Sequence, residues 1–395
     1  MKTFELTNKQ REFIGLEPIE SHWEKVAFKG DTYRPESVLY FDGNIIKRHI
    51  VSSENQYSEK QYDELTKERF FLLPKTSKGK EKKLSASVLE QRRATGVYLS
   101  ILNGNLIIGN YNSQTTFYSS RWDNIEPSQK SISDQISDFI KQSSANHLNE
   151  INQFKNAKRK KVRYKAGDYF CLKIDRVNFG FGRILLDVNK IRKQKLIRSE
   201  HGLDLIMGPP LIIQLFAYKS SKKNVDITLL DQQPTLPSDI MMDNLIFYGE
   251  FEIIGHRALE NDEFEFPISY GRSIDQRRIV FLQWGMIHLE LPQKKFYKYV
   301  TGEKEYDQNP YGFYSNGFRP HYDAIEITQT IENKGVFDFS SSRHYKAKWD
   351  LRNPDNFSVK DELFKVFGLD VNKSYLENST LTKTPFPTEF IEKLK

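Results

Sequence analysis

Tyr164-Lys165-Ala166-Gly167-Asp168-Tyr169-Phe170, followed by Phe179-Gly180-Phe181-Gly182-Arg183-Ile184-Leu185, decides how the middle of this 395-residue chain reads. Gly167-Asp168 opens an apolar strand, and Asp175 to Asn178 reads as a short polar turn. Side chains alternate across a strand, so Gly180 and Gly182 leave the same face bare. The expectation is a hairpin with a locally flattened second strand and no catalytic group in it.

Working outward, 395 residues predict two to three domains. Charged residues at 28% and hydrophobic ones at 38% suit a globular chain, while 28 Phe and 20 Tyr lean towards strands and large buried rings. The single cysteine, Cys171, cannot close an internal disulfide and sits between Phe170 and Leu172, which reads as a buried thiol in a reducing compartment. Met1 to Glu5 leads into polar sequence unlike a signal peptide, and no run approaches the roughly 18 apolar residues of a membrane span. A cytoplasmic location without membrane contact is expected. The net charge of +7 is uneven: residues 1–166 hold 28 Lys and Arg against 20 Asp and Glu, whereas 167–292 hold 15 against 17.

Residues 37–41 and 45–51, joined by Asp42-Gly43-Asn44, predict one hairpin. Residues 97–102 and 105–111 around Asn103-Gly104 predict a second, because Asn-Gly accepts the positive φ of a two-residue turn. Residues 115–119 add a strand. Ser87-Val88-Leu89-Glu90 has capping-box spacing, with Gly96 placed to end a short helix. Over 131–155 the apolar period changes to three or four, which predicts one amphipathic helix capped by Ser128 or Ser131. It runs into basic, exposed sequence over 157–165.

From 163 to 292 strands return, at 211–218, 226–230, 245–254 and 278–291, with Met207-Gly208-Pro209-Pro210 marking a break before a strand. Strand and helix do not alternate, which excludes a doubly wound sheet. In the tail, 309–320 reads as a structured loop, and 358–367 closed by Gly368 and 388–394 read as helices. The fold class is α+β, mostly β. It comprises an α+β N-terminal domain (1–127), an amphipathic helix and basic connector (128–162), a central antiparallel β-rich domain (163–292) and a C-terminal extension (293–395).

Enzyme motifs are missing: there is no HExxH, HxH, Walker loop or GxSxG, and one cysteine cannot build a cysteine-rich zinc site. His321-Tyr322-Asp323 with His344 is the best acid–base candidate, with ordinary surface or core use the favoured reading. Gly180-Phe181-Gly182 lacks the third glycine and following helix of a dinucleotide site. The run Lys75 to Lys83 beside Phe70 and Phe71 has the makings of a single-strand binder, or of a buried strand with a solvated loop. Asp239 to Glu265 gathers eight carboxylates against Arg257 alone. That is either a surface complementary to a cationic groove or an acidic loop kept for solubility.

The opening hairpin, Phe247-Tyr248-Gly249-Glu250-Phe251-Glu252-Ile253-Ile254-Gly255 and Glu265-Phe266-Pro267 together resemble the immunity protein 26 family of bacterial polymorphic toxin systems, over about 163–292. The resemblance implies a mostly β, non-enzymatic protein without catalytic residues, metal or cofactor, which neutralises a toxin encoded beside it by stoichiometric contact. On that footing Glu250, Glu252, Glu260, Asp262, Glu263, Glu265, Phe179, Phe181 and Arg183 are the candidate toxin-binding residues. A nucleic-acid-associated protein using the basic N-terminal part is the alternative, with a hydrolase third.

Overall fold

Asn103 and Gly104 adopt φ of 48° and 78°, the left-handed pair that a tight hairpin turn requires, and this turn joins two adjacent strands of the N-terminal sheet. In the computed structural model, which describes residues 4–123, 127–272, 279–292, 294, 324–339 and 350–394, the chain divides into two compact units. The first comprises Met1–Lys161 with Tyr248–Glu250, and the second Val162–Phe247 with Phe251–Lys395.

The first unit is an antiparallel meander. Strands β1 (Glu24–Phe28), β2 (Ser37–Asp42), β3 (Ile45–Ser52) and β4 (Gln56–Lys67) lie in sequence order. The short β5 (Phe71–Leu72) and β6 (Lys82–Lys83) extend from β4. β7 (Thr95–Leu102), β8 (Asn105–Asn110) and β9 (Thr115–Ser119) complete the path. Both faces are covered. Helices Asn8–Ile14, Ile132–Lys141 and His147–Lys155 close over Tyr57, Val97, Leu99 and Ile108, while Leu72, Leu89 and Ala94 cover Leu39, Phe41 and Ile46.

The second unit is built on a five-stranded antiparallel sheet of β10 (Asp168–Lys173), β11 (Phe179–Asp187), β12 (Pro210–Ser220), β13 (Asp239–Met242) and β14 (Glu252–His256), ordered β13-β12-β11-β10-β14. The Asp175 carboxylate receives the Val177 and Asn178 N–H groups and closes the β10–β11 turn. A three-stranded sheet of β15 (Ile268–Arg272), β16 (Ile279–Trp284) and β17 (Ile287–Pro292) follows. It shares a core with helices Phe357–Phe367, Tyr375–Thr382 and Pro387–Lys393 through Leu282, Trp284, Phe364 and Tyr375. The antiparallel, mostly β architecture of the sequence reading stands. No helix among the described residues is long and apolar enough to cross a membrane.

Several local expectations are corrected. The single helix over 131–155 is two, Ile132–Lys141 capped by Ser131 and His147–Lys155. The intervening Ser143, Ser144 and Asn146 compete with the helix for backbone hydrogen bonds. The short helix Ala86–Glu90 is capped by Ser85 rather than Ser87, and Gly96, at φ 62°, belongs to β7. Residues 226–230 form a helical turn, Ile227–Leu230, because Asp226 caps it by accepting the Thr228 N–H. Residues 245–247 are helical as part of Asn244–Phe247, and Gly249 at φ 77° breaks the chain before β14. The helix Val188–Lys193 and β13 went unread. Residues 309–320 and the His321, Asp323 and His344 group lie outside the described residues.

Gly180 and Gly182 do serve close packing. A Cβ on Gly180 would stand 2.9 Å from Ile174 and Ile327, and one on Gly182 would stand 2.5 Å from the Phe170 ring and 2.7 Å from Leu215. Gly182→Ala is expected to destabilise the protein by about 1–3 kcal/mol through overpacking. A lowered melting temperature checks this, and an unchanged one would remove the packing explanation.

Candidate functional site

Gly167, at φ 90°, stands at the entrance to β10, and a Cβ there would collide with the Arg257 carbonyl. Its absence lets the chain leaving β14 pass close by, with the Arg257 N–H donating to the Gly167 carbonyl at 3.1 Å. Asp168 then fastens two segments. One oxygen receives the Lys165 N–H at 2.8 Å, and the other pairs with His256 Nδ1 at 2.8 Å.

Beside this junction lies a circuit of five side chains. Tyr169 donates its hydroxyl to Asp231, whose other oxygen accepts from Arg257 Nε at 2.9 Å. Arg257 also pairs with Glu263. Glu263 accepts from Arg183 Nη1 at 2.7 Å, and the Arg183 guanidinium lies 4.8 Å from the centre of the Tyr169 ring. Arg183 Nη2 donates to the Arg257 and Ala258 carbonyls at 3.0 and 3.1 Å. Two guanidinium groups and two carboxylates balance, so the circuit carries no net charge.

Three of its groups are shifted from their ordinary values. Burial would raise the Glu263 carboxyl, but hydrogen bonds from Arg257, the Glu260 N–H and Arg183 outweigh that and hold it at about 2. Burial, helped by the bond to Asp231, pushes Tyr169 up to about 12. Arg257 is raised further above its usual range by Glu263 and then Asp231. A carboxylate so far below neutrality and a phenol so far above it are poor proton-transfer groups at pH 7. Among the described residues His256 hydrogen-bonds only Asp168. The arrangement suits holding two segments of chain in register.

The expected site residues separate. Arg183 and Glu263 meet in the circuit, and Phe181 is fully buried behind it. Glu252 pairs with Lys223 at 2.6 Å, and Lys223 lies over the half-buried Phe179 ring. Glu265 binds Arg352 at 2.8 Å and also accepts the Ser238 N–H. Glu250, in the stretch grouped with the first unit, is 3.4 Å from the Thr116 hydroxyl. Glu260 precedes the turn Asn261–Glu263, Asp262 lies within it, and both are exposed. Of the remaining carboxylates, Asp239 is buried and Asp243 accepts from Tyr164 at 2.5 Å. Asp231 and Arg257 were not foreseen as partners of Tyr169, because strand patterning says nothing about side chains 60 to 90 residues apart. Cys171 is buried, and that burial pushes its thiol up to about 11. In the basic N-terminal run, Lys75 approaches Glu81 at 3.5 Å, as does Lys67 from outside the run at 3.4 Å, and Lys83 lies over the Phe70 ring.

The five-stranded sheet and this circuit coincide with a segment that similarity to known proteins also marks out. Residues 165–280 match the immunity protein 26 family. No curated protein and no solved structure matches the chain. The matched segment runs from Lys165, beside the Gly167 entrance, through all five strands and the circuit to Val280 in β16. It covers under a third of the chain, and the first unit's meander lies almost wholly before it.

Because the folded Glu263 carboxyl sits at about 2 against an ordinary value of 4.5, its contribution is complete above pH 4.5 and is lost as pH falls towards 2. Glu263→Gln is expected to cost about 2 kcal/mol at neutral pH and to flatten the loss of stability across that acid range. Urea midpoints measured against pH check this. A variant with the parent's acid profile would show that Glu263 is not the titrating group.

Proposed function

We propose that the protein is an immunity protein that neutralises a cognate bacterial toxin by stoichiometric binding. The observation that carries this reading is the family match over 165–280, which spans all five strands of the second unit's main sheet rather than scattered motifs. The chemistry of the segment agrees with it. Its most connected polar groups are ion-paired, with Glu263 held well below the usual carboxylate range, which favours a rigid framework over turnover. A rigid surface loses little conformational entropy on binding, so more of its contact energy appears as affinity.

A protein that acts by occupancy must be consumed in proportion to its target. Titrating the purified chain into the toxin encoded beside its gene should lower toxin activity linearly, with the break at roughly one chain per toxin when both exceed their Kd. Inhibition by far less than an equivalent would point to an enzyme acting on the toxin and would sink the binding reading.

A further inference from the structure

The break Met207-Gly208-Pro209-Pro210 does more than start a strand. Met207 is 85% exposed and Leu205 52%, the most prominent apolar pair on the second unit's surface among the described residues. Arg192 clamps the backbone on both sides of Met207, donating to the Ile206 carbonyl and, at 2.8 Å, to the Gly208 carbonyl. Gly208 takes a φ of 70°, and a Cβ there would stand 2.8 Å from Met242 Sδ, so the chain is held against β13 just past the tip. The Pro209 carbonyl then accepts the Asp243 N–H at 3.0 Å. An apolar side chain is thus displayed on a fastened loop, although folding alone favours burying it.

The clamp comes from the helix Val188–Lys193, which is capped by Asp187 and anchored by the buried Val188 and Ile191. That helix brings charge with it. Residues 188–208 hold five Lys and Arg against Glu200 and Asp204. Lys193 and Lys195 are exposed, and Arg198 reaches Glu290 only at 3.9 Å. A pinned apolar tip, held by Arg192 with exposed Lys193 and Lys195 next to it in sequence as a cationic rim, fits a protein pocket edged by carboxylates. The unbranched, polarisable methionine would fill the pocket and the rim would steer the encounter. Nucleic acid would call for aromatic platforms, and a bilayer for a broad apolar face, neither of which Met207 and Leu205 provide.

We infer that the Met207 tip with its Lys193 and Lys195 rim is the surface that docks the toxin, and that the toxin's matching face is acidic. This rests on the toxin-binding reading above. It reverses the sign expected from the acidic segment, where only Glu260 and Asp262 remain as exposed carboxylates outside ion pairs and hydrogen bonds to other segments.

The test uses the full chain and the neighbouring-gene toxin in a surface-binding kinetics experiment. Met207→Asp should keep the parent melting temperature and bind at least about tenfold more weakly, mainly through faster dissociation. The pair Lys193→Glu and Lys195→Glu should slow association several-fold at low salt, with the difference closing at about 0.5 M salt. Glu260→Lys with Asp262→Lys should leave association unslowed. Parent-like binding by Met207→Asp, or faster association after the lysine reversals, overturns the inference while the toxin reading stands. If the reversals abolish retention of a single-stranded oligonucleotide but leave toxin binding intact, the rim serves nucleic acid and the inference is likewise overturned. A parent chain that does not bind the toxin at all removes the toxin reading, and the inference with it.

Discussion

The Arg183 guanidinium is the group on which the matched segment depends. It is buried in β11, where an unpaired charge would cost several kcal/mol. It is tolerable only because Glu263, two carbonyls and the Tyr169 ring surround it. Among the described residues its Nε has no hydrogen-bond partner, at a cost of about 1–3 kcal/mol, which the other contacts offset. Those partners come from two pieces of chain, Tyr169 from β10 and Arg257, Ala258 and Glu263 from the connection leaving β14. Satisfying one cation therefore fixes β10, β11 and the connection leaving β14 against one another. The glycine at 167 is the steric condition for that closure.

The same logic changes the meaning of the acidic segment. Eight carboxylates close together in sequence suggest mutual repulsion, and a cationic partner is one way to relieve it. The fold supplies another. Arg183, Lys223, Arg257 and Arg352 come from four separate places in the second unit and are interleaved among Glu252, Glu263 and Glu265. Charge clustered along a sequence need not remain clustered in space. A local count cannot reveal it, because the neutralising cations lie up to about 90 residues away.

What was legible was local. Turn chemistry located the Asn103-Gly104 hairpin and the β10–β11 hairpin, since both depend on residues within a few positions. The paired glycines of β11 were read correctly as packing sites because their spacing matches the strand period. Short apolar runs misled: Asp226 to Leu230 has strand-like composition, yet one capping carboxylate is enough to turn it into helix. The break within 131–155 was missed for a similar reason, because the apolar period carries across a few capping-prone residues. The polar circuit was out of reach, since it assembles from β10, β11, Asp231 and the segment after β14. Of the candidate site, Arg183 and Glu263 were named separately, but nothing in the sequence paired them.

The order of strands in the first unit has a consequence for how the chain comes into being. Each strand from β1 to β4, and again from β7 to β9, lies beside its sequence neighbour, so loop-closure costs are small and contact order is low. Pairing can begin as soon as successive strands emerge from the ribosome. In the second unit β10 to β13 pair in the same sequential way, but β14 must return past β11, β12 and β13 in sequence to pair with β10, and Arg183 finds its carboxylate only after residue 263 has been made. During synthesis the N-terminal meander can therefore be complete while the segment similar to the immunity protein 26 family is still waiting for its last strand.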